Sequence, residues 1–314
     1  MGIALQTMTN ELTHVFLLSV GAFLLAMFLT PIYTFFAYRY RFWKRQRSES
    51  TDGKKLKVFA KFQAAKLRRN IPTMAGVIGV ISIFVVTIFF NLDRAQTWLP
   101  LAALVGGGIV GLIDDIINLR GLGGGAAGLR SPVKFALITL IGVVLGWFFF
   151  AKLGVASFHV PFVGEVNIGW LIVPLFAFAV VATGNAVNIS DGMDGLAGGL
   201  LGISFGAFGV IALLQQHVIL AGFCFTVVGV LLSYLWFNIY PARFFMGDVG
   251  SFAYGACLGV VAMLTDSLLL LPVIGLLFVI EAGSSLTQIV SKKLFKRKIF
   301  LSAPIHHHLE AIGW

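Results

Sequence analysis

A polypeptide that crosses hydrocarbon must satisfy its backbone hydrogen bonds within itself, so a chain made of consecutive apolar stretches has few folds open to it. This sequence has nine such stretches, at about 15–38, 73–91, 99–117, 132–151, 168–185, 194–214, 217–237, 250–266 and 268–290, each near the length of a membrane-spanning helix. The expected fold is all-α: a polytopic integral membrane protein of about nine transmembrane helices, with residues 1–314 forming one transmembrane domain. Composition agrees, since 58% of residues are hydrophobic, only 11% are charged, and mean hydropathy is +0.94. Short turns at Gln215-Gln216 and near Asp266 separate neighbouring spans. Met1 to His14 lacks the basic start of a cleaved leader, so the first span is expected to remain in the mature chain. Cys224 and Cys257 fall in apolar spans and read as small core residues.

The net charge of +10 is distributed by side. Of 23 Lys and Arg, twelve lie between Arg39 and Asn70, three between Arg120 and Lys134, one at Arg243 and five between Lys292 and Lys298. Alternating spans put these 21 on one membrane face and leave Arg94 and Lys152 on the other. The basic face is cytoplasmic by the positive-inside rule. The basic loop 39–72 then lies beside anionic lipid headgroups, which accounts for its charge without nucleic acid.

Every polar cluster with chemical potential falls on that same face. Asn185–Leu196 carries Asn185, Asn188, Ser190, Asp191 and Asp194 between two apolar spans. Such residues suit turns and helix caps, yet ionisable groups at a membrane boundary are functional candidates. Asp114 and Asp115 end the third span; paired carboxylates can bind a divalent cation or act as a base, and also occur as ordinary helix-end features. Lys134 follows the Gly-rich stretch 121–128 and reads either as a snorkelling lysine or as a point charge for a phosphate. The loop 237–251 brings Asn238, Arg243, Asp248 and Ser251 to the face, and Asp248 is either a helix cap or a ligand of Mg²⁺, a hard cation that prefers oxygen. The cytoplasmic tail 292–314 contains His306, His307 and His308, which suit hydrogen bonding to an anion. Acids, amides and basic groups converging on one face suit Mg²⁺-assisted chemistry on a phosphorylated substrate, with a lipid as one partner.

Pro72-Thr-Met74, Gly111–Asp115, Asn185–Ala197, Asn238–Ser251 and Ala303–Glu310 together resemble the polyprenyl-phosphate N-acetylhexosamine-1-phosphate transferases, and the His-containing tail favours the muramoyl branch. The resemblance implies a ten-helix fold in the bacterial inner membrane, with Mg²⁺ as cofactor and membrane lipids around it. It implies that UDP-MurNAc-pentapeptide and undecaprenyl phosphate give lipid I and UMP in peptidoglycan biosynthesis, and it allows for a homodimer. By the family pattern Asp248 would ligate Mg²⁺ and take part in catalysis with Asp114 and Asp115, one of which would deprotonate the lipid phosphate. Lys134, Asn185, Asp191, Asp194, Asn238 and Ser251 would line the substrate site, His306 and His307 would contact its phosphates, and Gln288, seven residues after Glu281, would lie near the sugar. The chain departs from the pattern at Asn118 and at Arg68 and Arg69, where the family usually has lysine. A sibling transferase using UDP-GlcNAc shares the Asp motifs and is the alternative. An ion-coupled transporter would instead concentrate its polar residues near the midplane, in repeats that this sequence lacks.

Overall fold

The computed structural model describes residues 2–43, 70–122 and 128–313. Its elements are α1 (Gly2–Arg39), α2 (Gly76–Phe90), α3 (Trp98–Arg120), α4 (Ser131–Leu153), β1 (Ser157–Val160), β2 (Gly164–Asn167), α5 (Ile172–Ser190), α6 (Leu196–Leu214), α7 (Val218–Asn238), α8 (Gly247–Leu264), α9 (Leu271–Ile274), α10 (Leu276–Leu294) and α11 (Ile305–Ala311). Most of the basic loop 39–72, and residues 123–127 of the Gly-rich stretch, lie outside the described residues.

The bundle is built around α8. Every residue from Gly247 to Met263 is buried, and α3 and α5 pack along it. Its sequence explains the position: Gly247, Ser251, Gly255 and Gly259 recur every four residues, a small-residue stripe that lets helix backbones meet in a membrane. Phe252, Ala256, Val260 and Met263 fill a second core with α3, α4 and α5, while Ala253, Cys257, Leu258 and Val261 join the larger core shared with α1, α2, α6 and α7. Cys224 and Cys257 are both buried and free of disulfides, as core residues should be. In contrast, α1 and α4 keep long apolar sides on the outside, as at Phe16, Phe28, Leu140 and Trp147. Apolar surface in that position is matched to lipid rather than to a protein core.

A close helix crossing sits where chemistry was expected. At Gly111 on α3 a β-carbon would overlap the Asp248 carbonyl group at the start of α8. Glycine there is what brings the Asp114-Asp115 turn of α3 against Asp248. Gly111→Ala should therefore force the helices apart, cost about 1–3 kcal/mol of stability as overpacking does, and reduce turnover; thermal unfolding and an activity assay on one preparation would check both.

Among the described residues, seven helices are long and apolar enough to cross a membrane, and the broken Leu268–Ile274 and Leu276–Leu294 pair makes up to eight. Two of the nine expected spans have other bounds than expected. The span read at 73–91 is a helix only from Gly76, fifteen residues long. Residues 72–76 are instead tied to the loop before α8: Phe245 N–H donates to Pro72 O at 2.8 Å, Ala75 N–H to Phe245 O at 3.0 Å and Gly76 N–H to Met246 O at 2.9 Å. Those backbone groups are satisfied across loops, so the helix has no reason to begin earlier. The last span, read at 268–290, breaks at Gly275 and bends by 81° before α10. The polar residues Glu281, Ser284, Gln288 and Ser291 share one face of α10 at helical spacing, and all four are buried, whereas Leu277, Leu286 and Ile289 are exposed.

One element had no counterpart in the sequence reading. β1 and β2 form a small antiparallel hairpin, Ser157 opposite Asn167 and Val160 opposite Gly164. Pro161 and Gly164 mark its turn, and His159 N–H donates to Asp266 Oδ1 at 2.8 Å, docking it at the end of the bundle away from Asp248. That far end also joins Gln96 to Leu220 and Gln215 to Thr265, and it carries Arg94 and Lys152.

Candidate active site

At the other end, three helix termini meet. Asp114 and Asp115 stand near the C-terminus of α3, Lys134 in the first turn of α4, and Asp248 in the first turn of α8. Lys134 Nζ donates to Asp114 Oδ2 at 2.8 Å and to Asp248 Oδ2 at 2.7 Å, forming a bridge between residues 114 positions apart at its wider reach. The Phe252 ring lies 5.2 Å from the same nitrogen, so the ammonium is held by two carboxylates and a π face. Lysine has three N–H donors, and two are used by the carboxylates.

The two adjacent acids have different settings. Asp114 is buried and also accepts from Leu129 N–H at 2.6 Å. The turn delivering that amide needs glycine: Gly128 has φ +106°, and a β-carbon there would stand 2.6 Å from Asp114 Oδ1. Asp115, equally buried, turns its Oδ2 to Val249 N–H at 3.1 Å, and thus caps the N-terminal turn of α8 from a neighbouring helix. A carboxylate at a helix N-terminus meets the positive end of the helix dipole and an otherwise orphaned N–H. It fixes the turn that carries Asp248.

The remaining predicted residues form a rim. Asn238 is buried and spans two loops, accepting from Gly195 N–H at 2.9 Å and donating to Phe244 O at 2.9 Å. Asp194 Oδ2 accepts from Ala242 N–H at 3.0 Å and so ties the same loops. Asn185 donates to Val181 O of its own helix at 2.8 Å. Asp191 is the C-cap residue of α5, half-buried at the head of the loop. Ser251 accepts from Asn188 Nδ2 at 2.9 Å, which locks α5 to α8 one turn beyond Asp248. Asn188 was not among the predicted site residues; its spacing three after Asn185 in the polar run was the available signal.

The His tail reaches the rim from the opposite side. Gln288 clamps the tail backbone, accepting from Ile299 and Phe300 N–H at 3.0 and 3.1 Å and donating to Phe300 O at 3.0 Å. His306 and His307 have ring centroids 4.2 Å apart and face the Asp191–Asp194 loop: a β-carbon at Gly192 would stand 2.5 Å from His306 Nε2 and 3.5 Å from His307 Nε2. Asp114, Asp115, Lys134 and Asp248 therefore form one cluster, and Asp191, Asp194, Asn238, His306 and His307 stand around the adjoining loop. Asn185 and Gln288 spend their amides on backbone groups.

The donor set suits a hard cation. Three carboxylates, formally −3, are drawn together with one ammonium at +1, and all offered atoms are oxygen. Among the described residues no three His, Cys, Asp or Glu side chains converge tightly enough to enclose a metal ion alone. Mg²⁺ is ordinarily held by one or two carboxylates together with waters and substrate phosphates, so this set fits Mg²⁺ better than a metal needing a closed protein cage.

The sequence profile of glycosyl transferase family 4 matches residues 97–266, which include Asp114, Asp115, Lys134 and Asp248. Relatives are similar over almost the whole chain. The phospho-N-acetylmuramoyl-pentapeptide-transferase of Chloroflexus aggregans is 37% identical, with 100% of this chain and 86% of the relative covered. The corresponding protein of Geobacillus thermodenitrificans is 36% identical, covering 93% and 88%. That of Clostridium perfringens is 33% identical, covering 94% and 89%.

Proposed function

Because this chain belongs to glycosyl transferase family 4 and is related along its length to the phospho-N-acetylmuramoyl-pentapeptide-transferases, we propose that the Asp114–Lys134–Asp248 bridge is its catalytic centre. The protein is a membrane-embedded phospho-sugar transferase that moves phospho-N-acetylmuramoyl-pentapeptide onto a lipid carrier in peptidoglycan synthesis. The proposed donor is UDP-MurNAc-pentapeptide, the acceptor undecaprenyl phosphate, and the products lipid I and UMP. The proposed setting is the bacterial inner membrane with the Asp248 end in the cytoplasm. The bias of 21 basic residues toward that end supports this orientation.

The observation that carries the mechanism is the bridging lysine. A phosphate oxygen of the acceptor attacks the β-phosphorus of the UDP-sugar, a new phosphoanhydride bond forms, and the bond to the α-phosphate breaks to release UMP. The nucleophile is already an anion, so positioning and charge compensation supply most of the rate enhancement. Lys134 directs its third N–H at an incoming phosphate while Asp114 and Asp248 hold the ammonium in place. Asp114 accepts the proton of a monoprotonated lipid phosphate, and Asp115 keeps the α8 turn in register. Asp248, with Asp114 beside it, would hold Mg²⁺, whose chemistry is to neutralise the phosphate charge during transfer. Asp191, Asp194, Asn238 and Ser251 shape the wall for the nucleotide, and His306 and His307 take its phosphates. Asn185 and Gln288 act by holding backbone.

The test is UMP release by the purified protein in detergent with undecaprenyl phosphate and Mg²⁺, offering UDP-MurNAc-pentapeptide and UDP-GlcNAc separately. Release with the muramoyl donor alone is expected. Release with UDP-GlcNAc alone would move the chain to the sibling chemistry.

A further inference from the structure

The bend at Gly275 turns the buried polar face of α10 toward the tail, and that face is a docking track. Ser291 Oγ donates to Arg297 O at 3.0 Å, Gln288 grips residues 299–300, and Ser284 Oγ accepts from Ile305 N–H at 2.9 Å while donating to Glu281 O at 2.8 Å. The track ends at Glu281, whose Oε2 lies 2.8 Å from His306 Nδ1. Both side chains are buried, the acid 7% and the imidazole 4% exposed, so the contact is not a solvated surface pair. The other ring nitrogen, Nε2, is buried against the Asp191–Asp194 loop and has no hydrogen-bond partner among the described residues.

These facts describe a carboxylate–imidazole pair with a direction. A carboxylate only accepts, and a contact of this kind needs the proton on Nδ1. Which nitrogen carries the proton is set by the partner on the other side of the ring, and buried carboxylates commonly set it for a working histidine. A buried polar nitrogen left unpartnered in the protein alone calls for a reason, and a ligand is one.

We propose that Glu281 is a positioning residue for the transfer reaction: by accepting from His306 Nδ1–H it fixes the ring and supports its doubly protonated form, so that Nε2–H donates to the phosphates of the sugar nucleotide at the Asp191–Asp194 loop. The proposal rests on the transferase reading of the site. Glu281 makes no substrate contact and acts through His306. The track of Ser284, Gln288 and Ser291 holds the tail so that the ring arrives at one place.

Two measurements test it. Glu281→Gln keeps the shape and removes the charge; kcat should fall about 10- to 100-fold, the range for loss of a carboxylate supporting a functional histidine, with KM for undecaprenyl phosphate unchanged. Because Glu281 acts through His306, the double variant Glu281→Gln/His306→Gln should be no slower than His306→Gln alone. Wild-type kcat in Glu281→Gln, or a double-variant loss equal to the product of the singles, would overturn the proposal. Independently, ¹⁵N-histidine NMR with the sugar nucleotide bound, with His306→Gln identifying the signal, should show both His306 nitrogens protonated in the wild type and loss of the Nδ1 proton in Glu281→Ala. A wild-type His306 protonated on Nε2 alone would overturn the pairing. Absence of UMP release by the wild-type protein from any UDP-sugar would sink the transferase reading, whereas the NMR result would still decide the Glu281–His306 contact.

Discussion

Asp248→Asn should reduce UMP release by at least about 10²- to 10³-fold, the loss seen when one preorganised electrostatic group is removed from an active site. Asparagine has nearly the shape of aspartate and can still accept from Lys134 through its carbonyl oxygen. The fold should survive, because the N-terminal turn of α8 is fixed by Asp115 accepting from Val249 N–H and by Gly76 N–H bonding to Met246 O. What disappears is one of the two carboxylate charges paired with Lys134. The variant should therefore unfold near the wild-type temperature while turnover collapses at every Mg²⁺ concentration. Wild-type turnover would remove Asp248 from the chemistry and leave it as the acid in the first turn of a helix.

Lys134→Met should damage both activity and stability. Methionine fills much of the same space, yet Asp114 and Asp248 then face each other without the ammonium between them. Removing one partner of a buried ion pair costs about 3–5 kcal/mol. The lower end applies here because the lysine side chain remains 18% exposed. Turnover should fall about 10²-fold or more, since the donor aimed at the incoming phosphate is gone. High Mg²⁺ should restore part of the lost thermal stability, because a cation between the acids replaces the missing charge. Unchanged melting and turnover would mean that Lys134 merely snorkels from the membrane interface.

Much of the candidate site is legible in the sequence. Asp114, Lys134 and Asp248 announce themselves because charge is expensive beside a bilayer, and the alternation of spans puts all three at one end. Their mutual contacts depend on Gly111, whose meaning lies in a neighbouring helix 137 positions away and has no local signature. Amides are ambiguous for a different reason. Asn185, Asn238 and Gln288 look identical in sequence to ligand-binding amides, yet each bonds backbone, one within its own helix and two across loops. Glu281 was visible only as a spacing partner of Gln288, because its contact with His306, 25 positions away, has no local signature. The fold class was legible from hydropathy, whereas the start of α2 was not. Residues 73–75 fall within an apolar stretch, but Ala75 N–H donates to Phe245 O and Thr73 N–H to Phe42 O instead.

The enclosure of α8 also separates the chemistry from the bilayer. A membrane thicker or thinner than the protein's apolar belt is accommodated by helices that touch lipid, which tilt or draw in their ends. Here α1 and α4 meet that stress, with only 28% of each spanning window buried, whereas α8 is 94% buried and touches almost no lipid. Asp248 rides on the helix that membrane thickness reaches least. The proposed catalytic cluster is thus expected to stay in register when the thickness of the surrounding bilayer changes.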